Sequence, residues 1–430
     1  MKGFSKLLQA LTLLPFIVPK ALAADRAVFA HFMHGLTASY NSDLWRKDIS
    51  LAKESGIDGF ALNIGPTDSW TEKQLDSAYD AADQLGFKLL ISFDQACCGD
   101  WNVNEVSRII NKYKVRRSYY KVGDKPFVST FEGTNFIDKW ATVRSDTEGI
   151  FLVPDWASLG PDGFKNHVGV VDGAFAWDAW SITTEQKTTA QDTAWRNALG
   201  GKPYMMAVSP WFYTNLPQWN KNWLWKGDSL WFTRWEEVLD FMPNYVEIIT
   251  WNDYGESHYI GPINPPGIVQ NANRYVDGMP HDGWRFMLPY YIAAYKAGTR
   301  NVPIPQEGLV YWYRRTPKGN CNSGGTTCSP PGYPQQFPPQ QCVDDAVYVT
   351  SLSRSDADVE ISIGGQVVGK GAVKKGAALF SAPFSGKEGQ VTVRLIKGGK
   401  TVIEGTGEAI SNSCPAGGLT NWNAWVGVAK

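Results

Sequence analysis

The stretch Tyr245–Ser257, YVEIITWNDYGES, begins as a β-strand and ends as chemistry. Val246, Ile248, Ile249 and Thr250 make an apolar, β-branched run of the kind that forms a buried strand. Asp253 and Glu256 then follow, either side of Gly255. An apolar run that stops at a polar or acidic residue recurs along the chain. It is found in AVFAHFM (27–33), DGFALNIG (58–65), KLLISFD (88–94), KPFVSTFEG (125–133), GIFLVPDW (149–156), GAFAWDAW (173–180) and KPYMMAVSPW (202–211), with YVEIITWND (245–253) as the eighth.

Amphipathic segments separate most of these runs. In SDLWRKDISLAKESG, Leu44, Ile49, Leu51 and Ala52 recur at near-helical spacing, Ser42 or Asp43 is placed to cap the start, and Gly56 closes the helix. TEKQLDSAYDAADQLG, VNEVSRIINKYK, TRWEEVLDFM and GWRFMLPYYIAAYKAG have the same texture, while SLGPDGFKNHVGVV, between the fifth and sixth runs, offers little helix. Eight alternating β and α units over residues 24–302 predict a (β/α)8 TIM barrel, with an open doubly wound sheet as the alternative.

Beyond residue 303 the texture changes. Residues 303–342 read as a connecting segment rich in Cys, Pro and Gly. Residues 343–430 alternate with period two between Gly-rich turns, as in DAVYVTSLS, DVEISIGG and QVTVRLIKGG, which predicts an antiparallel β-sandwich. Residues 1–23 have the form of a secretory signal: Lys2 and Lys6, an apolar run from Leu7 to Val18, and Ala21-Leu22-Ala23 for cleavage. The chain is therefore expected to be secreted, to the medium or the cell wall. Cys321, Cys328, Cys342 and Cys414 are expected to form two bridges in the C-terminal region. Cys97 and Cys98 are joined or free, since a trans peptide holds neighbouring Cα atoms about 3.8 Å apart, below the usual disulfide range.

The net charge of −1 gives no reason to expect nucleic acid or a membrane surface as partner. No phosphate-binding glycine loop stands at a strand-to-helix turn, no G-x-S-x-G elbow occurs, and no zinc motif is present. His31 and His34, three residues apart on a strand, face opposite sides and make a poor metal pair. No cofactor or metal is expected, and a monomer is.

In a barrel, chemistry gathers where strands end. Those ends carry His31 and His34, Asn63, Asp94, Glu132, Asp155, Asp178, Trp211, and Asp253 with Glu256. Any one of these acids can serve as a helix cap; their repetition after apolar runs argues for a site. Aromatic residues are abundant, with 19 Trp, 18 Tyr and 20 Phe. Trp101, Trp156, Trp177, Trp180, Trp211 and Trp251 fall at the same ends, and the loop after the seventh run adds Trp219, Trp223, Trp225 and Trp231. Paired carboxyls framed by aromatic faces suit cleavage of a glycosidic bond: one carboxyl protonates the leaving oxygen while the other activates water or attacks the anomeric carbon.

WNDYGESHYIGP (251–262), with HFMHG, DGFALNIG, ISFDQACCGDW and VPDW, resembles glycoside hydrolase family 71, the fungal α-1,3-glucanases or mutanases, across residues 27–300. The resemblance implies a secreted barrel enzyme that hydrolyses α-1,3-glucan of fungal walls with inversion. It places the catalytic pair at Asp253 and Glu256, expected here as general base and general acid respectively, the longer Glu side chain reaching the leaving group. Glu247, early in the strand, is the lesser third acid. Asp94 and Asp155 are expected to bind sugar hydroxyls or tune the acid, and His31, Asn63, Asp178, Trp211, Trp251, Asn252 and Tyr254 to line the substrate site. Another α-linked polysaccharide or an α-mannoside as substrate, or a non-catalytic wall-binding role, are the alternatives. Trp422 and Trp425 either present an aromatic wall-binding face or, the preferred reading, pack the C-terminal module against the barrel.

Overall fold

The structure is a computed structural model and describes residues 26–330, 335–415 and 417–430; the expected signal segment lies outside the described residues. All eight runs form parallel strands of one curled sheet: β1 Ala27–Met33, β2 Gly59–Ile64, β3 Lys88–Asp94, β4 Lys125–Phe131, β5 Phe151–Leu152, β6 Ala174–Phe175, β7 Tyr204–Val208 and β8 Tyr245–Ile248. Their order is β4-β3-β2-β1-β8-β7-β6, with β5 beside β4. Asp155 alone makes parallel bridges to Phe131 on one side and Phe175 on the other, so the two edges approach each other at that residue.

Alternation along each strand sorts side chains into two layers. Ala27, Phe29, Ala61, Leu90, Phe127, Phe175, Met205, Ala207 and Tyr245 fill the inside of the curl. Val28, Ala30, Phe32, Phe60, Leu62, Leu89, Val246 and Ile248 face outward against the helices. Those helices are α1 Ser42–Glu54, α2 Thr71–Leu85, α3 Val103–Tyr113, α4 Trp140–Asp146, α5 Ala190–Ala198, α6 Leu230–Phe241 and α7 Leu288–Ala297. Trp45, Ile49 and Ala52 give α1 its buried stripe. Asn41, not Ser42 or Asp43, caps it: the Asn41 side chain accepts from the Leu44 amide.

Several runs yield shorter strands than expected. β8 ends at Ile248 rather than 253, β7 at Val208, and β5 and β6 are two residues each. Pro154 brings no N–H to a ladder, which helps to end β5 early. The weak helical texture after β5 becomes only the short helix Gly160–Phe164 between 3-10 turns.

The C-terminal region holds two four-stranded antiparallel sheets. One has the order β13-β10-β9-β16, from Gly376–Pro383, Ala346–Ser353, Gly308–Tyr313 and Trp425–Ala429. The other has the order β12-β11-β14-β15, from Gln366–Val373, Ala357–Ile363, Gly389–Lys397 and Lys400–Ile410. Leu309, Tyr311, Val347 and Val349 of the first share one apolar cluster with Val359, Ile361, Val391 and Val393 of the second. β9 falls inside the 303–342 stretch expected only to connect, yet it is hydrogen-bonded on both edges. The cysteines pair as Cys97–Cys98, Cys321–Cys414 and Cys328–Cys342.

A buried ion pair ties α5 and α6 to the sheet. Arg234 donates to both carboxylate oxygens of Asp192, at 3.0 and 3.2 Å, and to the Ala207 carbonyl of β7 at 2.8 Å. Both charged side chains are essentially inaccessible. Removing one partner of such a pair strands the other charge, at a cost of about 3–5 kcal/mol. Arg234→Met is therefore expected to lower the unfolding free energy by that much, and Asp192→Asn/Arg234→Met together to lower it less than Arg234→Met alone, as measured by chemical unfolding.

Candidate active site

Beyond Ile248 the chain leaves the ladder and is tied by backbone bonds of another kind. The Trp251 amide donates to the His31 carbonyl at 2.7 Å, while in a short return the Thr250 amide donates to the His258 carbonyl and the Ile260 amide to the Thr250 carbonyl. Because alternation stops with the strand, Trp251 turns outward. It is fully buried between Phe60 and the guanidinium of Arg285, away from the inside face that carries Glu247 and Ile249. The Asn252 side chain copies a strand partner, accepting from Met33 N at 2.8 Å and donating to Met33 O at 3.2 Å. Tyr254 is buried and its hydroxyl donates to Pro262 O while accepting from Asn264 N. These three expected substrate contacts are corrected to supports of the loop. Trp211 is corrected likewise: it is buried, and its ring nitrogen donates to the Trp422 carbonyl at 2.9 Å.

The loop so held presents the carboxyl pair. Asp253 N donates to Thr250 Oγ1 at 2.9 Å, and Glu256 N donates to Asp253 Oδ1 at 3.0 Å. Both acids keep 16% of their side-chain surface accessible. Glu256 is gripped at both oxygens: Lys221 Nζ lies 2.7 Å from Oε1 and His258 Nε2 3.0 Å from Oε2, with His258 Nδ1 3.2 Å from Thr250 Oγ1. One carboxylate oxygen each from Asp253 and Glu256 and a ring nitrogen of His258 lie within 4.8 Å of one another. That is a spacing a cation could use, but the Lys221 ammonium already sits against Glu256, and its repulsion counts against a metal there.

Two carboxylates at such a separation repel by about 3 kcal/mol at an effective dielectric near 20, roughly two pKa units. Lys221 and His258 decide which of them yields. Burial pushes Glu256 up, but the Lys221 charge and the hydrogen-bonded His258 outweigh it and hold the carboxyl down to about 2. Burial, and then the charge of Glu256, pushes Asp253 above the ordinary aspartate range against the weaker pull of His258 and Lys221. Groups whose environments drive their pKa values apart mark the acid and the base.

Other expected residues surround this pair at different depths. His31 Nδ1 is 2.7 Å from Glu247 Oε1 inside the curl, and its ring meets Trp177 edge-on at 4.8 Å; Trp177 in turn lies 6.3 Å from His258. Glu247 is thus a buried partner of His31, with Oε2 left without a hydrogen bond. Asp94 is raised by burial, although its Oδ1 accepts from the amides of Ala96 and Cys97, and it acts electrostatically on Lys221. Asp155 is buried and raised well above the carboxylate range, by burial first and then by the charge of Glu132; its Oδ2 has no partner. Asn63 is buried at the end of β2 with its Nδ2 unpaired. Asp178 is drawn instead into an ion pair with Lys187 at 2.6 Å. His34 packs outward against Trp45. Among the rim tryptophans, Trp177 and Trp223 are half-buried and Trp219 is exposed, at 56%, while Trp101, Trp156, Trp180, Trp225 and Trp231 are buried.

The sequence reading missed Lys221 and His258. His258 stood two residues after Glu256, and Lys221 opens the second strand of a hairpin, Tyr213–Leu216 and Lys221–Leu224, between β7 and α6. Surface depressions of about 470 and 450 Å3 lie at the other end of the sheet, around Phe87, Lys88 and Asp58, where strands begin and a barrel places no chemistry.

The curled parallel sheet thus brings its strand ends to an electrostatically split carboxyl pair. The particular family follows from comparison: the glycosyl hydrolase family 71 profile matches residues 24–430, and the chain belongs to that family. A mutanase of Penicillium rubens is 33% identical over 99% of this chain and 96% of its own, and a glucan endo-1,3-α-glucosidase of Schizosaccharomyces pombe is 34% identical over 94% and 95%. A glycosyl hydrolase family 2 member from Bacteroides cellulosilyticus shares the fold only, at 11% identity and a TM-score of 0.50, covering 89% of this chain and 48% of that one.

Lys221→Met removes the ammonium and leaves His258 in place. The Glu256 carboxyl, held near 2 in the intact protein, is expected to titrate at least one unit higher in the variant, because burial and Asp253 then act with less opposition. Carboxyl carbon NMR across pH 2–7 on both proteins measures the shift.

Proposed function

We propose that the protein is a secreted hydrolase of α-1,3-glucan, built on a (β/α)8 barrel that closes at Asp155, with Asp253 as general acid and Glu256 as general base. The single observation that carries the role assignment is the grip of Lys221 and His258 on Glu256. It keeps that carboxyl ionised and so favours the proton on Asp253, which reverses the roles expected from side-chain length. Asp253 Oδ1 is engaged by the Glu256 amide, which leaves Oδ2 to present the proton to a glycosidic oxygen.

The substrate follows from the similarity to a mutanase and to a glucan endo-1,3-α-glucosidase over nearly the whole chain. The two facing sheets at the C-terminus read as a β-sandwich, and the preferred reading of Trp422 fits its burial at the junction with Trp211. Export fits three disulfides and the lack, among the described residues, of a helix long and apolar enough to cross a membrane. His31, Asn63, Asp94, Asp155 and Trp177 are assigned to the walls of the sugar site.

Inversion requires room for a water, about 6.5–9.5 Å between the two carboxyl groups. Nearest oxygens within 4.8 Å favour a second reading, in which Glu256 attacks the anomeric carbon directly, as in retaining enzymes with carboxyls about 5–5.5 Å apart. Inversion remains the first reading: both Glu256 oxygens are held by donors, which suits a group that accepts a proton from water better than one that must bond to carbon.

Two measurements test this. Asp253→Asn and Glu256→Gln are each expected to lower sugar release from α-1,3-glucan by about 10²–10⁴-fold while sedimentation with the insoluble polymer persists. Full release by either variant would remove that residue from the chemistry. Proton NMR of freshly released sugar is expected to show the β-anomer first; the α-anomer first would establish the second reading.

A further inference from the structure

The largest pull that keeps Glu256 ionised is the charge of Lys221, whose ammonium ends a flexible four-carbon stem. An isolated two-stranded hairpin is marginal in water, so the position of Lys221 depends on what braces its hairpin. The outer edge of the Lys221 strand is occupied by a strand from the C-terminal side of the chain, Thr327–Cys328, in parallel register: Trp223 pairs with Thr327 and Leu224 with Cys328. Ser329 N adds a bond to Leu224 O at 3.1 Å. Asn222, next to Lys221, is held at both ends of its amide, donating to Gly324 O at 2.8 Å and accepting from Thr326 Oγ1 at 2.7 Å. Thr326 and Cys328 are buried, and Cys328 is bonded to the equally buried Cys342. The bracing segment is itself anchored, because Asn322 exchanges backbone bonds with Gly418 and Thr420.

We infer that Asn222 and Thr326, with the Cys328–Cys342 bridge behind them, are positioning residues for catalysis: they hold the hairpin so that Lys221 stays on Glu256. The C-terminal region thereby becomes part of the device that keeps the base ionised. The inference rests on the reading of Glu256 as general base. The groups facing Glu256 are Lys221 from the hairpin and Asp253 and His258 from its own loop, with Asp94 at the end of β3 acting on Lys221. Slackening the hairpin changes only the first of these.

The base must be ionised, so kcat/KM rises with pH through the pKa of Glu256, and a loosened Lys221 moves that acid limb upward. The test is the pH profile of kcat/KM on solubilised α-1,3-glucan for the full chain and for Thr326→Val, Asn222→Ala, Thr326→Ser and Lys221→Met, each checked for its unfolding midpoint by circular dichroism. Thr326→Val and Asn222→Ala are expected to move the acid limb up by one pH unit or more. Thr326→Ser, which keeps the hydroxyl, is expected to restore the profile. A uniform loss at every pH, or an unmoved limb in both variants while Lys221→Met moves it, overturns the bracing role alone. An unmoved limb in Lys221→Met overturns the base assignment and this inference with it.

Discussion

Two carboxyl groups cannot both stay charged at close quarters in a largely dry site unless a cation stands beside them, and here the cation is Lys221. Its 2.7 Å contact with Glu256 turns a symmetric repulsion into a division of labour. The rest of the active end of the molecule serves that contact. Asn252 and the Trp251 amide fix the carboxyl loop to the end of β1, and the hairpin carries Lys221 in from the other side. Removing the ammonium would leave Glu256 with only His258 to oppose its burial and the charge of its neighbour.

The same constraint explains why the molecule is built in two parts that share contacts. The curled sheet supplies Asp253, Glu256, His31 and Asp155 from strand ends, but it does not by itself pin the long insertion after β7. The C-terminal chain does, through Thr327–Cys328 on the hairpin edge and through the Trp422 carbonyl, which accepts from the Trp211 ring nitrogen.

The strands were legible in the sequence because a strand of a parallel sheet is buried on both faces and reads as a compact apolar run. The acids were legible because parallel strands deliver their C-terminal ends to one rim. Trp251 misled because the alternation assumed through residue 253 ends at Ile248, after which the side chain turns to the helical side. Trp211 and Trp422 lie 211 residues apart, and their contact is tertiary, with no local signal. β9 was readable as an apolar run, GLVYWY, but its Pro- and Cys-rich surroundings suggested a stapled connecting segment. Lys221 left only the trace of a turn, Pro217 to Asn220 between two short alternating runs, and nothing near it announces a partner 35 residues away.

The central claim is where the proton sits. Neutron diffraction from a deuterium-exchanged crystal at pH 3.5, below the ordinary aspartate value and above that of Glu256, locates it directly. The account predicts density for deuterium on Asp253 Oδ2, three deuterons on Lys221 Nζ, and none on either oxygen of Glu256. Deuterium on Glu256 with a bare Asp253 would contradict it and restore the opposite assignment of acid and base.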